Sequence, residues 1–219
     1  MKRASLKNLI YKELRLAAHP TLYIFVSLGA LVIVPNYPYG VVFLFGCLAS
    51  MLTIQYGRET NDVLFSALLP IPRNEIVKGK FALACFTQLS QIVVSLPFAV
   101  LRTFLFPNRN AVGIDANIAF YGCMLIAFAL YDLVFFTGYY KTAYKVGASF
   151  VRAILPVLAV VLVMETLAHV PALSFWDGVS PHELLLQLPV LAAGVVCYIL
   201  CNLAAYRVSV RRFAKVDLA

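Results

Sequence analysis

The chain alternates between six long apolar stretches and short polar connections. The stretches run roughly over residues 21–34, 38–56, 81–106, 117–138, 151–170 and 184–206. Each of the last five has about 18–26 residues, enough for a helix to cross a hydrocarbon core of about 30 Å. The first stretch is short: either its neighbours Ala17, Ala18 and Pro20 extend it, or it is thinly embedded.

These stretches are predicted to be helices. Lipid offers no partners for backbone polar groups, so a membrane-spanning segment is either a helix or part of a closed barrel. The alternation of apolar and polar residues that a barrel requires is absent. The pattern therefore predicts an all-α polytopic membrane protein with six transmembrane helices in a single domain over residues 1–219.

Composition supports this prediction. The 219 residues are 62% hydrophobic and 13% charged, whereas soluble domains have about 45–50% and about 25%. This excludes a soluble globule, a disordered tail and a disulfide scaffold.

The net charge of +8 follows the predicted topology. Of the 18 lysines and arginines, 16 fall in the N-terminal segment, the second–third connection, the fourth–fifth connection and the tail. With six spans these segments share one face, and the positive-inside rule makes that face cytoplasmic. Both termini are therefore expected in the cytoplasm. The basic residues form no single patch of the kind that binds nucleic acid.

Residues 1–19 are expected to form an amphipathic helix on the inner leaflet. Apolar and basic positions between residues 2 and 19 separate onto two faces of a helix. A basic amphipathic helix before a first span typically lies flat at the membrane interface.

The connection at 57–80 contains a second short helix. Residues 63–69 are apolar around much of a helix, Glu59 and Asp62 suit its first turn, and Pro70 ends it. Its apolar residues lie outside the bilayer and need a cover, which could be lipid, this chain or a second protein. At the end of this connection Lys80 is expected to be an anchor at the inner interface.

The two inner connections resemble a known family. Residues 58–62 read Arg-Glu-Thr-Asn-Asp, and residues 67–80 read Ala-Leu-Leu-Pro-Ile-Pro-Arg-Asn-Glu-Ile-Val-Lys-Gly-Lys. Residues 139–147 read Tyr-Tyr-Lys-Thr-Ala-Tyr-Lys-Val-Gly. Both strings are similar to the cytoplasmic loops of type-2 ATP-binding-cassette (ABC) transporter permeases, in particular the small six-span bacterial ones. The length and the topology agree with this resemblance over nearly the whole chain.

The resemblance implies a permease that a separate ABC ATP-binding subunit drives. The connection at 57–80 would hold the coupling helix, and the one at 138–150 would make a lesser contact with the subunit. The implied coupling residues are Arg58, Glu59, Asp62, Leu64, Leu68, Pro70, Arg73, Tyr140, Lys141 and Lys145. The chain lacks the Gly-x-x-x-x-Gly-Lys-Ser/Thr phosphate loop. It is therefore expected to bind no cofactor itself, with ATP and magnesium held by the partner ATPase.

Polar residues inside the predicted spans are candidates for function. They are Gln88, Gln91, Ser95, Arg102, Asp132, Glu165 and His169. Those on the third span either line a translocation surface or join helices by hydrogen bonds. Glu165 is expected to face Arg102 or His169, as a structural ion pair or with a role in substrate handling or gating. Asp132 is expected to pair with Arg152 or a loop lysine.

Other chemistry is weakly indicated. The small residues Ala193, Cys197, Cys201 and Ala205 form a ridge that predicts close helix packing; the two thiols alone would leave a metal site half empty. Residues 180–183 read Ser-Pro-His-Glu, a capping box that begins the sixth span. The residues form no catalytic constellation.

The sequence thus predicts the permease subunit of an ABC exporter in the bacterial inner membrane. It would pair with a second copy or a sister permease and move an amphiphile such as a peptide, antibiotic or lipid. The alternatives are a self-sufficient six-span channel or scaffold and, less favoured, an intramembrane hydrolase.

Overall fold

A computed structural model describes residues 11–68, 71–106 and 108–216, and this part of the chain is helical without strands. Five long helices make up most of it. They are α2 (Tyr39–Glu59), α4 (Arg73–Leu105), α5 (Ile118–Tyr139), α6 (Val146–Ala168) and α7 (Pro181–Phe213). A π-helical turn at Glu13–Ala17, α1 (Thr21–Ser27), a 3₁₀ helix at Leu28–Ile33, α3 (Asp62–Leu68) and a 3₁₀ helix at Pro171–Asp177 complete the described elements.

Five of the six predicted spans correspond to long helices, and the first corresponds to a shorter one. Within the described residues, the five long helices are each long and apolar enough to cross a membrane, and Thr21–Ile33 is a shorter apolar helix. The predicted fold class, an all-α polytopic membrane protein, is confirmed. Most of the predicted N-terminal amphipathic helix lies outside the described residues, which begin at Tyr11.

The first apolar segment consists of α1 and the 3₁₀ helix at Leu28–Ile33, and the 3₁₀ half makes the segment longer than an α-helix of the same number of residues. Because a 3₁₀ helix rises about 2.0 Å per residue instead of 1.5 Å, α1 and the 3₁₀ helix together cover about 22 Å. This half lies close to α4. A Cβ placed on Gly29 would come within 2.7 Å of the backbone oxygen of Gln91, so the approach requires glycine.

The connections gather at two ends of the bundle. At one end, Arg73 binds the backbone after α7, and Arg58 lies over the ring of Tyr144. We call this the basic end; both termini of the described chain lie there. At the other end, which we call the far end, Asn110 binds the carbonyl of Tyr37. The far end also holds the start of α7, where Ser180 and Glu183 form the predicted capping box.

Helix α5 is the central helix. In its most apolar stretch 72% of the residues are buried, against 22% in α6 and 17% in α7. Its rings pack edge to face on α2, where Phe43 contacts Phe120 and Phe128. The outer faces of α4, α6 and α7 expose large apolar side chains such as Val93, Leu155 and Leu200. These faces suit contact with lipid.

The closest helix crossing joins α5 to α7 through two glycines. A Cβ on Gly122 would lie 2.7 Å from the carbonyl oxygen of Val190, and one on Gly194 would collide with the backbone of Gly122. The prediction of the small-residue ridge is therefore wrong by one residue at its start, where Gly194 and not Ala193 makes the contact. Ala193 is exposed, whereas Gly194 makes the contact, and Ala205 is buried as expected.

We expect Gly122→Ala and Gly194→Ala each to lower the free energy of unfolding by about 1–3 kcal/mol, because the added methyl group meets backbone that cannot turn aside. Gly147→Ala is the control, since a methyl group added there would meet no other atom within 4 Å. Thermal unfolding of the purified protein in mild detergent measures the effect. Equal melting temperatures for all three variants would contradict the proposed crossing.

Candidate functional site

Helix α3 is a short amphipathic helix at the basic end. It follows a tight reversal at Asn61, whose φ of 53° lies in the left-handed region that asparagine tolerates. One face is buried against the chain and includes Val63 and Ser66. The opposite face exposes three large apolar side chains, with relative exposures of 42% for Leu64, 62% for Phe65 and 78% for Leu68. We call these three residues the apolar face of α3.

An ion network fixes the buried side of α3. The Nζ atom of Lys80, in α4, lies 2.6 Å from Asp62 Oδ2 and 2.7 Å from Glu13 Oε2. The Nζ atom of Lys12 lies 3.1 Å from Asp62 Oδ1 and 3.2 Å from Glu13 Oε1, and it donates to Ser66 Oγ at 2.9 Å. Two cations and two anions therefore join three segments of the chain.

Lys80 is the central residue of this network. It was predicted to anchor at the membrane interface, but that prediction is wrong because its side chain is only 1% exposed and paired with two carboxylates. A buried ammonium is strongly unfavourable unless paired and hydrogen-bonded. The network therefore holds α3 against α4 and against the N-terminal segment.

The neighbouring cations also set the protonation of Asp62. Burial alone would raise the pKa of this carboxyl, but Lys80 and then Lys12 outweigh burial and lower the pKa below its ordinary value. Asp62 is therefore ionised at neutral pH. Although sequence reasoning placed Asp62 among the coupling residues, its carboxylate faces the chain's own lysines.

The second connection lies beside the first. The guanidinium of Arg58 stands 5.0 Å from the ring centroid of Tyr144, a cation–π contact between the two connections. Lys141 and Lys145 are exposed, and Glu59 is exposed and accepts a hydrogen bond from Gln55. Tyr140, by contrast, is buried and packs 5.3 Å from the ring of Phe213. It supports the end of α7 from within.

Arg73 caps the end of α7. Its guanidinium donates to the backbone oxygens of Phe213 and Val216 at 3.2 and 2.9 Å, and it lies over the ring of Phe213. Cations at a helix C-terminus bind its unpaired carbonyls favourably. Pro70, the remaining predicted coupling residue, lies outside the described residues.

The polar residues of α4 face the inside of the bundle. Gln91 donates to the carbonyls of Phe25 and Val42 at 3.1 and 3.0 Å, and Ser95 is hydrogen-bonded to Tyr121 at 3.0 Å. These contacts favour the alternative in which they join helices. The exposed side of α4 is apolar.

Arg102 and Glu165 both hold the far-end connection at residues 108–117, and they do not bind each other. Arg102 is 2.5 Å from Asp115, whereas Glu165 Oε2 accepts the backbone N–H of Ile114 at 2.9 Å. The ring of His169 donates to the backbone carbonyl of Glu165 at 2.7 Å. Of the two partners predicted for Glu165, Arg102 is wrong because a folded connection lies between them and supplies both with partners. His169 does lie beside Glu165, but its ring binds the backbone carbonyl of that residue.

Asp132 also has a different partner from the predicted one. It accepts a hydrogen bond from Gln88 Nε2 at 2.9 Å and is fully buried. The predicted pairing with Arg152 or a loop lysine is wrong, because Arg152 is exposed and Asp132 faces α4 inside the bundle.

Sequence reasoning missed Glu13 of the ion network and Phe65 of the apolar face of α3. Glu13 is the lone acidic residue in a basic segment, which could have signalled a buried pair. Phe65 shares a helix face with Leu64 and Leu68.

In the described part of the chain, no three His, Cys, Asp or Glu side chains cluster in a way that could hold a metal ion.

Fold and site define a polytopic α-helical membrane protein that presents a short apolar helix at its basic end. Residues 8–214 match the family model described as ABC-2 family transporter protein. The chain therefore belongs to the ABC-2 transporter family, as a membrane permease component. Neither the curated proteins nor the solved structures contain a significant match.

We expect Lys80→Met to lower the free energy of unfolding by about 3–5 kcal/mol, because it removes the buried ammonium between Asp62 and Glu13 and leaves these two carboxylates to share Lys12 alone. Lys141→Met is the control. Lys141 is exposed at the same end of the bundle and forms no ion pair among the described residues, so its loss is worth about 0–0.5 kcal/mol. Chemical denaturation in detergent compares them, and equal effects of the two substitutions would contradict the buried network.

Stability should also depend on acid through Asp62. A carboxyl whose folded pKa is lowered adds stability above its unfolded pKa, and this stability is lost as pH falls through the folded pKa. The difference in melting temperature between the wild type and Asp62→Asn should therefore be full at pH 7 and shrink below about pH 4. A constant difference from pH 7 to pH 3 would contradict the lowered pKa.

Proposed function

We propose that this chain is the permease of an ABC exporter and that a separate ATP-binding subunit docks on the apolar face of α3. The observation that carries the proposal is this face, formed by Leu64, Phe65 and Leu68. It is exposed, while the other side of the same helix is fixed by buried ions. A helix held in this way presents its apolar side chains in a set geometry.

Two features favour a protein partner over lipid as the cover for this face. Lys141 and Lys145 are exposed at the basic end, and Arg58 is half-buried there beside Tyr144, so this end carries charge that stays in water. The helix itself has 7 residues, and its large exposed apolar side chains are Leu64, Phe65 and Leu68. Compact apolar patches with a polar rim are typical of protein contact sites.

The ion network gives the docking force a route into the bundle. A displacement of α3 acts on Asp62, whose carboxylate binds Lys80 of α4. Helix α4 has 33 residues and reaches the far end, where Arg102 binds Asp115. The same displacement acts through Lys12 and Glu13 on the N-terminal segment. In this proposal, closure of the ATP-binding subunits moves α4 and the N-terminal segment together.

The remaining parts of the proposal are supported by membership of the family. ATP and magnesium are bound by the partner subunit, and two permeases, identical or related, form the membrane part of the transporter. The cargo is an amphiphile such as a peptide, an antibiotic or a lipid. The basic end faces the cytoplasm of a bacterial cell, which the concentration of lysine and arginine at this end supports.

We expect the double substitution Leu64→Arg and Leu68→Arg to weaken binding of the ATP-binding subunit by about 100-fold or more. Each buried leucine contributes about 1.5–3 kcal/mol, and 1.4 kcal/mol is a factor of ten. Co-purification from the native membrane, followed by ATP hydrolysis in the eluate, measures the loss.

Val112→Arg is the control. Val112 is half exposed at the far end, so this substitution should leave binding of the ATP-binding subunit unchanged. If the double variant retains the subunit, the docking surface is elsewhere. If the wild type yields no ATP-hydrolysing partner, the chain acts as a channel or scaffold instead.

A further inference from the structure

Asp132 is a buried acidic residue that takes part in neither end network. It lies in α5, 0% exposed, about 10 Å from the end of the helix at Tyr139 and about 20 Å from its start at Ile118. This position lies between the two ends of a helix that is long and apolar enough to cross a membrane. An ionisable residue at such a depth is a candidate functional group.

The partners of Asp132 are neutral. Gln88 of α4 donates to Oδ1 at 2.9 Å, and the other end of the same amide accepts the hydroxyl of Tyr198 of α7 at 2.8 Å. Asn202 of α7 is a further neutral neighbour of this carboxyl. The Oδ2 atom is buried and has no hydrogen-bond partner among the described residues. A single series of side chains, Tyr198, Gln88 and Asp132, therefore joins three helices.

Among the described residues no cation forms an ion pair with Asp132. The titratable groups of the neighbouring helices that interact electrostatically with it include Cys85 of α4, Cys47 of α2 and Tyr198 of α7. On its own helix, Tyr131 is adjacent. Helix α6 contributes only Arg152, which is exposed, and Glu165, which binds Ile114 at the far end. None of these groups supplies a compensating positive charge.

An ionised carboxylate in this environment would be strongly unfavourable. A charge buried without a partner in a low-dielectric interior is neutralised or expelled, and hydrogen bonding to a neutral amide does not offset its loss of hydration. A neutral carboxylic acid removes the charge, keeps Oδ1 as the acceptor for Gln88, and places the proton on the Oδ2 atom that otherwise lacks a partner.

We propose that Asp132 is a proton-binding site, occupied when α4, α5 and α7 are packed together and emptied when they separate. Separation admits water, which accepts the proton as the O–H bond of the carboxylic acid breaks and leaves a hydrated carboxylate. The proposal does not depend on the identity of the docking partner.

Infrared difference spectroscopy of the full chain in lipid nanodiscs at neutral pH tests this proposal. The wild type should show the C=O stretch of a carboxylic acid, shifted in D₂O, and Asp132→Asn should lack it. Asp177→Asn is the control, since Asp177 is a far-end carboxyl that binds the backbone N–H of Asp115; the band should persist in this variant. Absence of the band in the wild type, or its persistence in Asp132→Asn, would overturn the proposal.

A second variant keeps the test decisive if Asp132→Asn cannot be purified. Gln88→Leu removes the hydrogen bond to Oδ1 but keeps the carboxyl group. A carboxylic-acid band that belongs to Asp132 should shift in frequency in this variant, because its C=O loses a donor. An unshifted band would assign the signal to another residue and reject the proton site.

Discussion

The structure depends on the pairing of charges that are buried at both ends of α4. Lys80 and Arg102 are each almost fully buried, and each would be strongly unfavourable alone. Lys80 is satisfied only when the N-terminal segment and α3 lie against α4, and Arg102 only when the connection at residues 108–117 folds back over the far end. These pairs therefore fix the position of segments that have little apolar core of their own.

The two faces of α3 therefore have different roles. Its charged and small residues bind the chain, which leaves its large apolar residues to face outward. The same helix is thus both firmly attached and available. The interior of the bundle is joined differently, through neutral hydrogen bonds from Gln91 and Ser95 and through close backbone contact at Gly122. Force applied at the basic end would reach the far end through α4 without requiring a polar path across the membrane.

The fold could be predicted from the sequence because hydropathy and the distribution of basic residues follow directly from contact with lipid. The capping box at Ser180 could also be predicted, since it is local. The partners of the buried charges could not be predicted from the sequence. Each partner lies in a connecting or N-terminal segment, and no local sequence pattern determines the path of that segment. Glu165 accepts the backbone N–H of Ile114 in the far-end connection, and Lys80 binds Glu13 in a distant part of the chain. The length of the first apolar segment was ambiguous because its 3₁₀ half leaves no simple signature.

The central claim is that another protein binds the apolar face of α3. It can be tested by placing a photo-crosslinking amino acid at Phe65, which lies between the two leucines of that face. Irradiation of intact membranes should join this position to a nucleotide-binding polypeptide, identifiable by mass spectrometry. Crosslinks only to lipid, or only to other parts of the same chain, would contradict the account.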